Sequence, residues 1–552
     1  MTLIKRITQN RRTLFLFIWI VLFVLYVPAV HAGFVSDFTG WIEQLTQNKF
    51  IDYLNRKGSQ ITSLYQFTQF STWVFYKLFG LNAWLWFLLY ITLQALNSTL
   101  LYIVSNTLFE KADIKNADII ALTGVMLFCF CPHLTEVVVY KASYHYLQGF
   151  LFILLIIYWL QQFQETGSIK YAWWAAVIFF ISTYSLEIFY LTPLFTIGMA
   201  LFYWRVLQYD KNVLKRSMQY FLIPQIILFL LHVAVFHAIH GGRLPHVSKV
   251  DYPYPFYLSK PVKYLFHILL MGRFFPQHIR DAVYAWSEST AGLLTFYSFL
   301  IAVWALIIVR FKSFSPKAKT AVLLFIFVCF TAVLLIPLGF PPMLLVYGDR
   351  HTYLLCAFTY VLLALMLSYI TRRYLSIAIG GIYLLINLCL TIQLNLYWKR
   401  SAYIVNRLLA TFPAADNKTV VLLDLPDNMK GVPMLYESLY KALHNATQPD
   451  KINNMVYDAV SFTSFHMQDG AHVKVLNDST IRVTLNQWGS WWLYGSLGAV
   501  SYENEAYRLN MTDVGHEYEL VLKRPDTQYL LLYQAGGVWR IVDWNRKNVD
   551  QY

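Results

Sequence analysis

Charge is scarce in this chain. Asp, Glu, Lys and Arg make up 13% of its 552 residues, where a soluble protein carries roughly a quarter. Hydrophobic residues reach 57% and are gathered into long runs, which excludes a water-soluble globule and calls for a bilayer. Cysteine is equally thin. All five (Cys129, Cys131, Cys329, Cys356 and Cys389) fall inside apolar runs, and none lies in 401–552. The tail therefore folds without disulfides. Cys129-x-Cys131 lacks the second pair that would make it a metal or redox motif, and reads as two buried thiols. There is no DxD, Walker-type loop, GxGxxG or nucleophile elbow, so nucleotide-using and serine-hydrolase mechanisms have no support. Internal repeats and low-complexity tracts are missing too.

The net charge of +14 is unevenly placed. Residues 401–552 hold 13 Lys+Arg and 16 Asp+Glu, a balance of −3, which leaves +17 on 1–400. A basic excess confined to the apolar part reads as cytoplasmic loop charge facing anionic lipid, not as a nucleic-acid footprint. The apolar runs predict about eleven spans: 14–30, 82–108, 118–135, 146–163, 171–186, 188–206, 219–238, 291–310, 319–338, 352–370 and 374–393. Val30-His31-Ala32 also resembles a signal-peptidase site, but the length of the first run favours a retained helix. Lys111, Lys115, Lys170, Lys211, Lys215, Arg216, Lys312, Lys317, Arg372 and Arg373 all fall on the side of the basic N-terminus. The positive-inside rule makes that side cytoplasmic, and eleven crossings place the C-terminus outside. The reading is a multi-pass protein, in bacteria of the inner membrane.

Beyond 395 the pattern changes. Lys418–Leu425, Thr480–Leu485, Glu517–Lys523, Tyr529–Gln534 and Val538–Trp544 alternate as strands, and Ala535-Gly536-Gly537 supplies a hairpin turn. A helical pattern appears near Met434–His444. The expected fold is mainly α, a transmembrane domain over 1–395, followed by a small α+β extracytoplasmic domain over 396–552. Residues 31–81 and 239–290 read as interfacial or re-entrant segments.

Ionisable residues at bilayer depth cost roughly 2.5–3.5 kcal/mol each, so each needs a reason. Those near the predicted outer ends of helices are Asp37, His133, Glu136, Lys141, His145, Glu187, Arg273, Asp349, Arg350 and His351. Convergence would build a polar site where a lipid-linked substrate meets a soluble one. Each also has a plainer reading. Asp37 can cap the helix that follows, or act as a general base toward an acceptor hydroxyl. Glu136 and Glu187 can be helix-end charges facing water. Arg350 can pair with its neighbour Asp349, or hold a phosphate with its guanidinium fork. His237-x-x-His240 and His246 have no acidic or thiol ligands nearby and read as surface histidines, so no metal ligand is assigned.

Several segments, taken in order, resemble the GT-C superfamily of glycosyltransferases. The likeness is to the membrane core of the transmembrane and tetratricopeptide-containing O-mannosyltransferases and their bacterial relatives. Ser36-Asp37 stands where that family has an acidic motif. Gly80–Ala83 followed by Gln94–Tyr102 looks like its second span. Cys131-Pro132-His133-Leu134-Thr135-Glu136-Val137 is similar to its HPxHTEAV signature, and Ser185-Leu186-Glu187 to its SKE turn. Asp349-Arg350-His351-Thr352-Tyr353-Leu354 resembles its [DE]RYLYLPS motif, and Asn395–Lys399 the exit from its last helix. The departures are Ser36 for one acid, Ser143-Tyr144 for a Gly-Arg pair, Leu186 for the SKE lysine, and a β-rich tail in place of tetratricopeptide repeats.

The resemblance implies a membrane glycosyltransferase that moves sugar from a polyprenyl-phosphate donor to an acceptor hydroxyl on a protein, lipid or glycan, by inversion. Asp37 would be the catalytic base. Arg350, Arg273, Glu136, His133, Glu187 and His145 would bind substrate. No cofactor is assigned, although such folds admit a divalent cation. The competing readings are a transporter or flippase for lipid-linked glycans, which would show repeats and midplane polar residues, and a catalytically silent membrane scaffold.

Overall fold

The computed structural model describes residues 7–32, 34–35, 37–47, 66–185, 190–240, 253–333, 335–336, 349–413, 418–435, 456–485, 492–494, 497–498, 500–513, 516–524, 528–546 and 550–551. The helices are α1 (Arg11–Tyr26), α2 (Asp37–Gln47), α3 (Gln66–Phe79), α4 (Ala83–Lys111), α5 (Ala117–Cys129), α6 (Thr135–Val139), α7 (Tyr144–Thr166), α8 (Lys170–Thr183) and α9 (Thr192–Arg205). They continue as α10 (Lys211–Ser217), α11 (Ile223–His240), α12 (Tyr254–Leu269), α13 (Gln277–Glu288), α14 (Thr290–Arg310), α15 (Pro316–Val333), α16 (Tyr353–Leu367) and α17 (Arg373–Thr411). The chain divides into two compact units. One is Met1–Val27, Leu54–Val138 and Ser143–Ile392. The other is Pro28–Tyr53, Val139–Ala142 and Gln393–Tyr552.

The first unit is helical and membrane-embedded. Among the described residues, eight helices are long and apolar enough to cross a bilayer, or nine if α5 and the segment Pro132–Val139 count as one bent span. Helix α14 shows why lipid must surround it: Leu294, Phe299, Ile301, Ile308 and Val309 all point outward, the last 77% exposed. Water would not tolerate such a face. The expected spans at 171–186 and 188–206 are instead α8 and α9, of 14 residues each. Such helices measure about 21 Å, short of the roughly 30 Å hydrocarbon core. The last expected span is part of the 39-residue α17, about 58 Å long and well beyond what a membrane needs.

Starts and stops follow local chemistry. The Asn10 side chain accepts from the N–H groups of Arg12 and Thr13, and Asn82 from Trp84, each filling orphan donors of a first turn. Gly167, at φ +68°, ends α7 in the left-handed region. Between α5 and α6 the helix axis turns by 56°. Cys131 is extended ahead of Pro132, as the residue before a proline prefers. The break frees the Phe130 carbonyl, which accepts from Thr391 Oγ1 at 2.6 Å.

Inside the bundle, polar side chains join helices where lipid cannot substitute for a hydrogen bond. Asn97 on α4 donates to the Leu147 carbonyl of α7 at 2.9 Å and to Tyr353 Oη of α16 at 3.0 Å; Tyr353 in turn donates to Gln94 Oε1 at 2.5 Å. Helix α5 meets α16 closely at Gly124. A Cβ placed there would lie 2.9 Å from Val361 Cα.

The second unit carries the β-structure. Its strands are β1 (Thr419–Leu422), β2 (Leu425–Met429), β3 (Val432–Pro433), β4 (Val456–Asp458), β5 (Ser461–Ser464), β6 (Ala471–Val475), β7 (Thr480–Leu485) and β8 (Trp492–Tyr494). After these come β9 (Leu497–Gly498), β10 (Tyr502–Glu503), β11 (Tyr507–Asp513), β12 (Glu517–Leu522), β13 (Tyr529–Ala535), β14 (Val538–Ile541) and β15 (Asp550–Gln551). They form sheets ordered β14-β13-β1-β4, β10-β11-β12-β7-β6-β15 and β3-β2-β5-β8-β9. Alternating burial along β6, β7 and β12 turns Val473, Val483 and Leu520 into a core with Val421, Leu531 and Tyr518. The hairpin β13–β14 turns at Gly536 and Gly537, both at positive φ, as a two-residue reversal requires. Met434 and Leu435 are not helical; the rest of the helical pattern expected to His444 lies outside the described residues.

Two outcomes test this packing. Gly124→Ala must push α5 and α16 apart, and is expected to destabilise the protein by about 1–3 kcal/mol, read as a lower melting temperature in detergent. An unchanged melt would contradict the close crossing. Asp424 is fully buried in the second unit, where Oδ1 accepts from the Gln534 N–H at 2.6 Å. Burial pushes its carboxyl well above the usual carboxylate range. Its contribution to stability is therefore complete below the unfolded value of about 4 and is lost as pH climbs through the raised native value. Asp424→Asn imitates the neutral acid. It should leave the melt unchanged near about pH 4 and raise it near about pH 8.

Candidate functional site

Three segments of the first unit, far apart in sequence, bring ionisable side chains together. The first is the short helical turn Pro132–Leu134 running into α6. Its bend after Pro132 presents His133 and Glu136, three residues apart and so on one helical face. The second is α12 and the turn after it. Met271 takes a left-handed conformation, at φ +54°, and leads into the helical turn Gly272–Phe274. Glycine is required at 272, because a Cβ there would lie 2.5 Å from the Phe266 ring. This segment supplies His267 and Arg273. The third is the helical turn Asp349–Thr352 at the start of α16, secured by Thr352 Oγ1 donating to the Asp349 carbonyl at 2.7 Å.

Asp349 is the meeting point. Its Oδ1 lies 2.6 Å from His267 Nε2 and 3.3 Å from His133 Nδ1, and its Oδ2 accepts from Arg273 Nη1. The two imidazole rings sit 4.1 Å apart. Every member is largely removed from solvent, with the Asp349 carboxylate only 1% exposed. Glu136 and Arg350 form a second pair: Oε1 receives the guanidinium and Oε2 the Arg350 backbone N–H at 3.0 Å. That double grip fixes the 349–352 turn to α6. Each carboxylate thus has a guanidinium partner, and pairing of this kind is what permits charge at low dielectric. Burial, helped by the neighbouring His133, holds His267 down to about 4, so its ring is neutral near neutral pH.

The sequence-nominated residues distribute as follows. His133, Glu136, Arg273 and Arg350 are brought together. Asp349 and Arg350, for which a local pair was one of two readings, reach separate partners: adjacent residues in a helical turn point in different directions. His145 lies in the first turn of α7, its ring 4.7 Å from that of Tyr146, whose hydroxyl is 2.6 Å from His351 Nδ1. It therefore flanks the cluster. Asp37 is the first residue of α2; its side chain, and all of Glu187, lie outside the described residues.

His267 was not singled out from sequence. A signal for it exists: Lys260, Lys263 and His267 follow i, i+3, i+7 spacing, a polar stripe on an otherwise apolar helix. The two lysines on that stripe are occupied elsewhere, Lys260 donating to the Ile336 carbonyl at 3.2 Å and Lys263 paired with Glu288. His133 Nδ1, His267 Nε2 and Asp349 Oδ1 all lie within 4.8 Å of one another and are the residues here that could hold a metal ion.

Removing Glu136 takes the paired carboxylate from a partly buried guanidinium. Glu136→Ala is expected to cost roughly 3–5 kcal/mol, and adding Arg350→Met should recover part of that loss. Thermal unfolding of the purified protein in detergent reads both. Additive effects of the two substitutions would show that the pair is not coupled.

No family model matches the chain, and no curated protein matches it. Among solved structures it is similar to ArnT from Cupriavidus metallidurans bound to undecaprenyl phosphate, at 11% identity and a TM-score of 0.39 over 82% of this chain and 92% of that one. ArnT in the apo state gives 12% identity and a TM-score of 0.40 over the same shares. The apo oligosaccharyltransferase of Archaeoglobus fulgidus gives 10% identity and 0.39, over 87% of this chain and 76% of that one. At these values the likeness is distant.

Proposed function

We propose that this integral membrane protein is a glycosyltransferase that takes a sugar from a polyprenyl-phosphate donor and transfers it to an acceptor hydroxyl at the outer membrane face. One observation carries the reading: His133, Glu136, Arg273 and Arg350, nominated from separate stretches of sequence, gather with Asp349 into a single largely buried cluster of paired charges. Each guanidinium is held in place by a carboxylate. An arriving phosphate can share those cations, since planar guanidinium forks suit its oxygens.

In this reading the lipid tail lies between helices while Arg350 and Arg273 hold the phosphate as leaving group. Preorganised cations stabilise the charge that grows on that phosphate as the glycosidic bond breaks, and they do so most strongly where water is excluded. Asp37 takes the proton of the acceptor hydroxyl as its oxygen attacks the anomeric carbon from the opposite face, which inverts configuration. His145 and Glu187 are assigned to sugar or acceptor contacts. Residues 396–552 are assigned to the outer side of the membrane, where they help select the acceptor.

The test is turnover of polyprenyl-phosphate sugars by protein reconstituted in lipid. Asp37→Asn is expected to abolish transfer, at least 100-fold, while donor binding persists. Arg350→Ala should weaken donor binding. Unchanged turnover in Asp37→Asn would remove that residue from the mechanism. Movement of intact lipid-linked glycan across the membrane without sugar transfer would favour a flippase.

A further inference from the structure

We propose that Cys131 and Cys356 form a redox latch, a reversible disulfide that joins the bent helix to α16 and shifts the charged cluster out of its working geometry. Both thiols are free and fully buried. In the sequence Cys131 stands beside Cys129, yet its sulfur lies 3.7 Å from that of Cys356, 225 residues along the chain. Cys129 instead donates to Ser98 Oγ at 3.3 Å. The two sulfurs share the close crossing of α5 and α16 at Gly124. Cys131 lies beyond Gly124 on one segment, and Cys356 lies before Val361 on the facing helix.

A directed chain of hydrogen bonds ties this pair to the site. Tyr360 Oη donates to Cys131 Sγ at 3.5 Å, Cys131 to Cys356, Cys356 to Thr352 Oγ1 at 3.6 Å, and Thr352 to the Asp349 carbonyl at 2.7 Å. His133 follows Cys131 closely, and Thr352 precedes Cys356 by one helical turn. A disulfide requires sulfurs about 2.05 Å apart. Closing from 3.7 Å therefore moves the two segments together by roughly 1.6 Å, and it removes the S–H that Thr352 accepts. Reacting groups tolerate displacements of only about 0.5 Å. The oxidised protein is the inactive one.

The oxidant is a peroxide, small and uncharged enough to cross lipid. Cys131 gives up its proton and its sulfur attacks the O–O bond. An S–O bond forms, the O–O bond breaks, and the departing oxygen leaves as water. The Cys356 sulfur then displaces the hydroxyl of that sulfenic acid, so S–S forms, S–O breaks and a second water carries off the Cys356 proton. The thiols together lose two electrons, and one peroxide gains them. A dithiol reverses the bond by exchange. Donation from Tyr360 favours charge on Cys131, which makes it the attacking sulfur. Bond formation is independent of the transferase reading, whereas the loss of transfer rests on it.

The full-length protein reconstituted in lipid is treated with hydrogen peroxide, capped with N-ethylmaleimide, digested and analysed by mass spectrometry. The expected product is a peptide pair joined through Cys131 and Cys356 and released by dithiothreitol. Sugar transfer should fall about 10-fold or more on oxidation and return on reduction. Cys356→Ser, which keeps a donor toward Thr352, should transfer at the unoxidised rate with or without peroxide. Cys131→Ala should likewise lose the response. Thermal melting is read alongside, and the added cross-link should raise it reversibly. Absence of the joined pair, a Cys129–Cys131 bond in its place, or a bond that leaves transfer by an active protein unchanged overturns the latch. Reduced protein that transfers no sugar at all sinks the transferase reading instead. A joined pair that leaves the melt unmoved then overturns the latch, and one that raises it reversibly supports it.

Discussion

The site in the membrane unit depends on one buried carboxylate. Asp349 accepts from Arg273 and two histidines, and those three donors belong to two segments that otherwise share no secondary structure with it. Desolvating an isolated carboxylate costs several kcal/mol, and here the surrounding donors offset that cost. The same contacts fix where the turn before α16 lies. Glu136 and Arg350 repeat the logic next to it, with a backbone N–H as the second anchor.

Sharing between structure and chemistry explains the arrangement of the bundle around the site. Helices in lipid gain nothing from burying apolar surface against one another, so they are joined by close contact and by hydrogen bonds. Gly124 against Val361, and the chain from Asn97 through Tyr353 to Gln94, are two such devices beside α16. Both hold the helix whose first turn carries Asp349 and Arg350. A cluster of charges can be preorganised only if its supporting helices cannot drift.

The sequence revealed some of this directly and hid the rest for physical reasons. Long apolar runs announce spans because length and composition alone decide whether a segment can cross, which is why α4, α7, α14 and α16 follow expectation closely. The runs at 171–206 hold the 14-residue helices α8 and α9, whose ends hydropathy does not register. Strand alternation in β7 and β12 was readable because one face is buried. His133, Glu136, Arg273 and Arg350 stood out as charges in apolar surroundings. Their partners did not, since Arg350 meets Glu136 across 214 residues and Arg273 meets Asp349 across 76. Pairing at such separations is a property of the tertiary fold. His267 escaped notice because a lone histidine in an amphipathic stretch looks like any polar-face residue.

The hydrogen bond from Thr391 to the Phe130 carbonyl reaches further than its place suggests. A helix broken at a proline would ordinarily be a hinge, free to swing the segment beyond it. Here the loose carbonyl is stitched to α17, which contributes no side chain to the charged cluster. The aim of His133 and Glu136 is thus inherited from a helix 261 residues further along the chain. A defect at Thr391 would register as misdirected chemistry, not as a weakened fold.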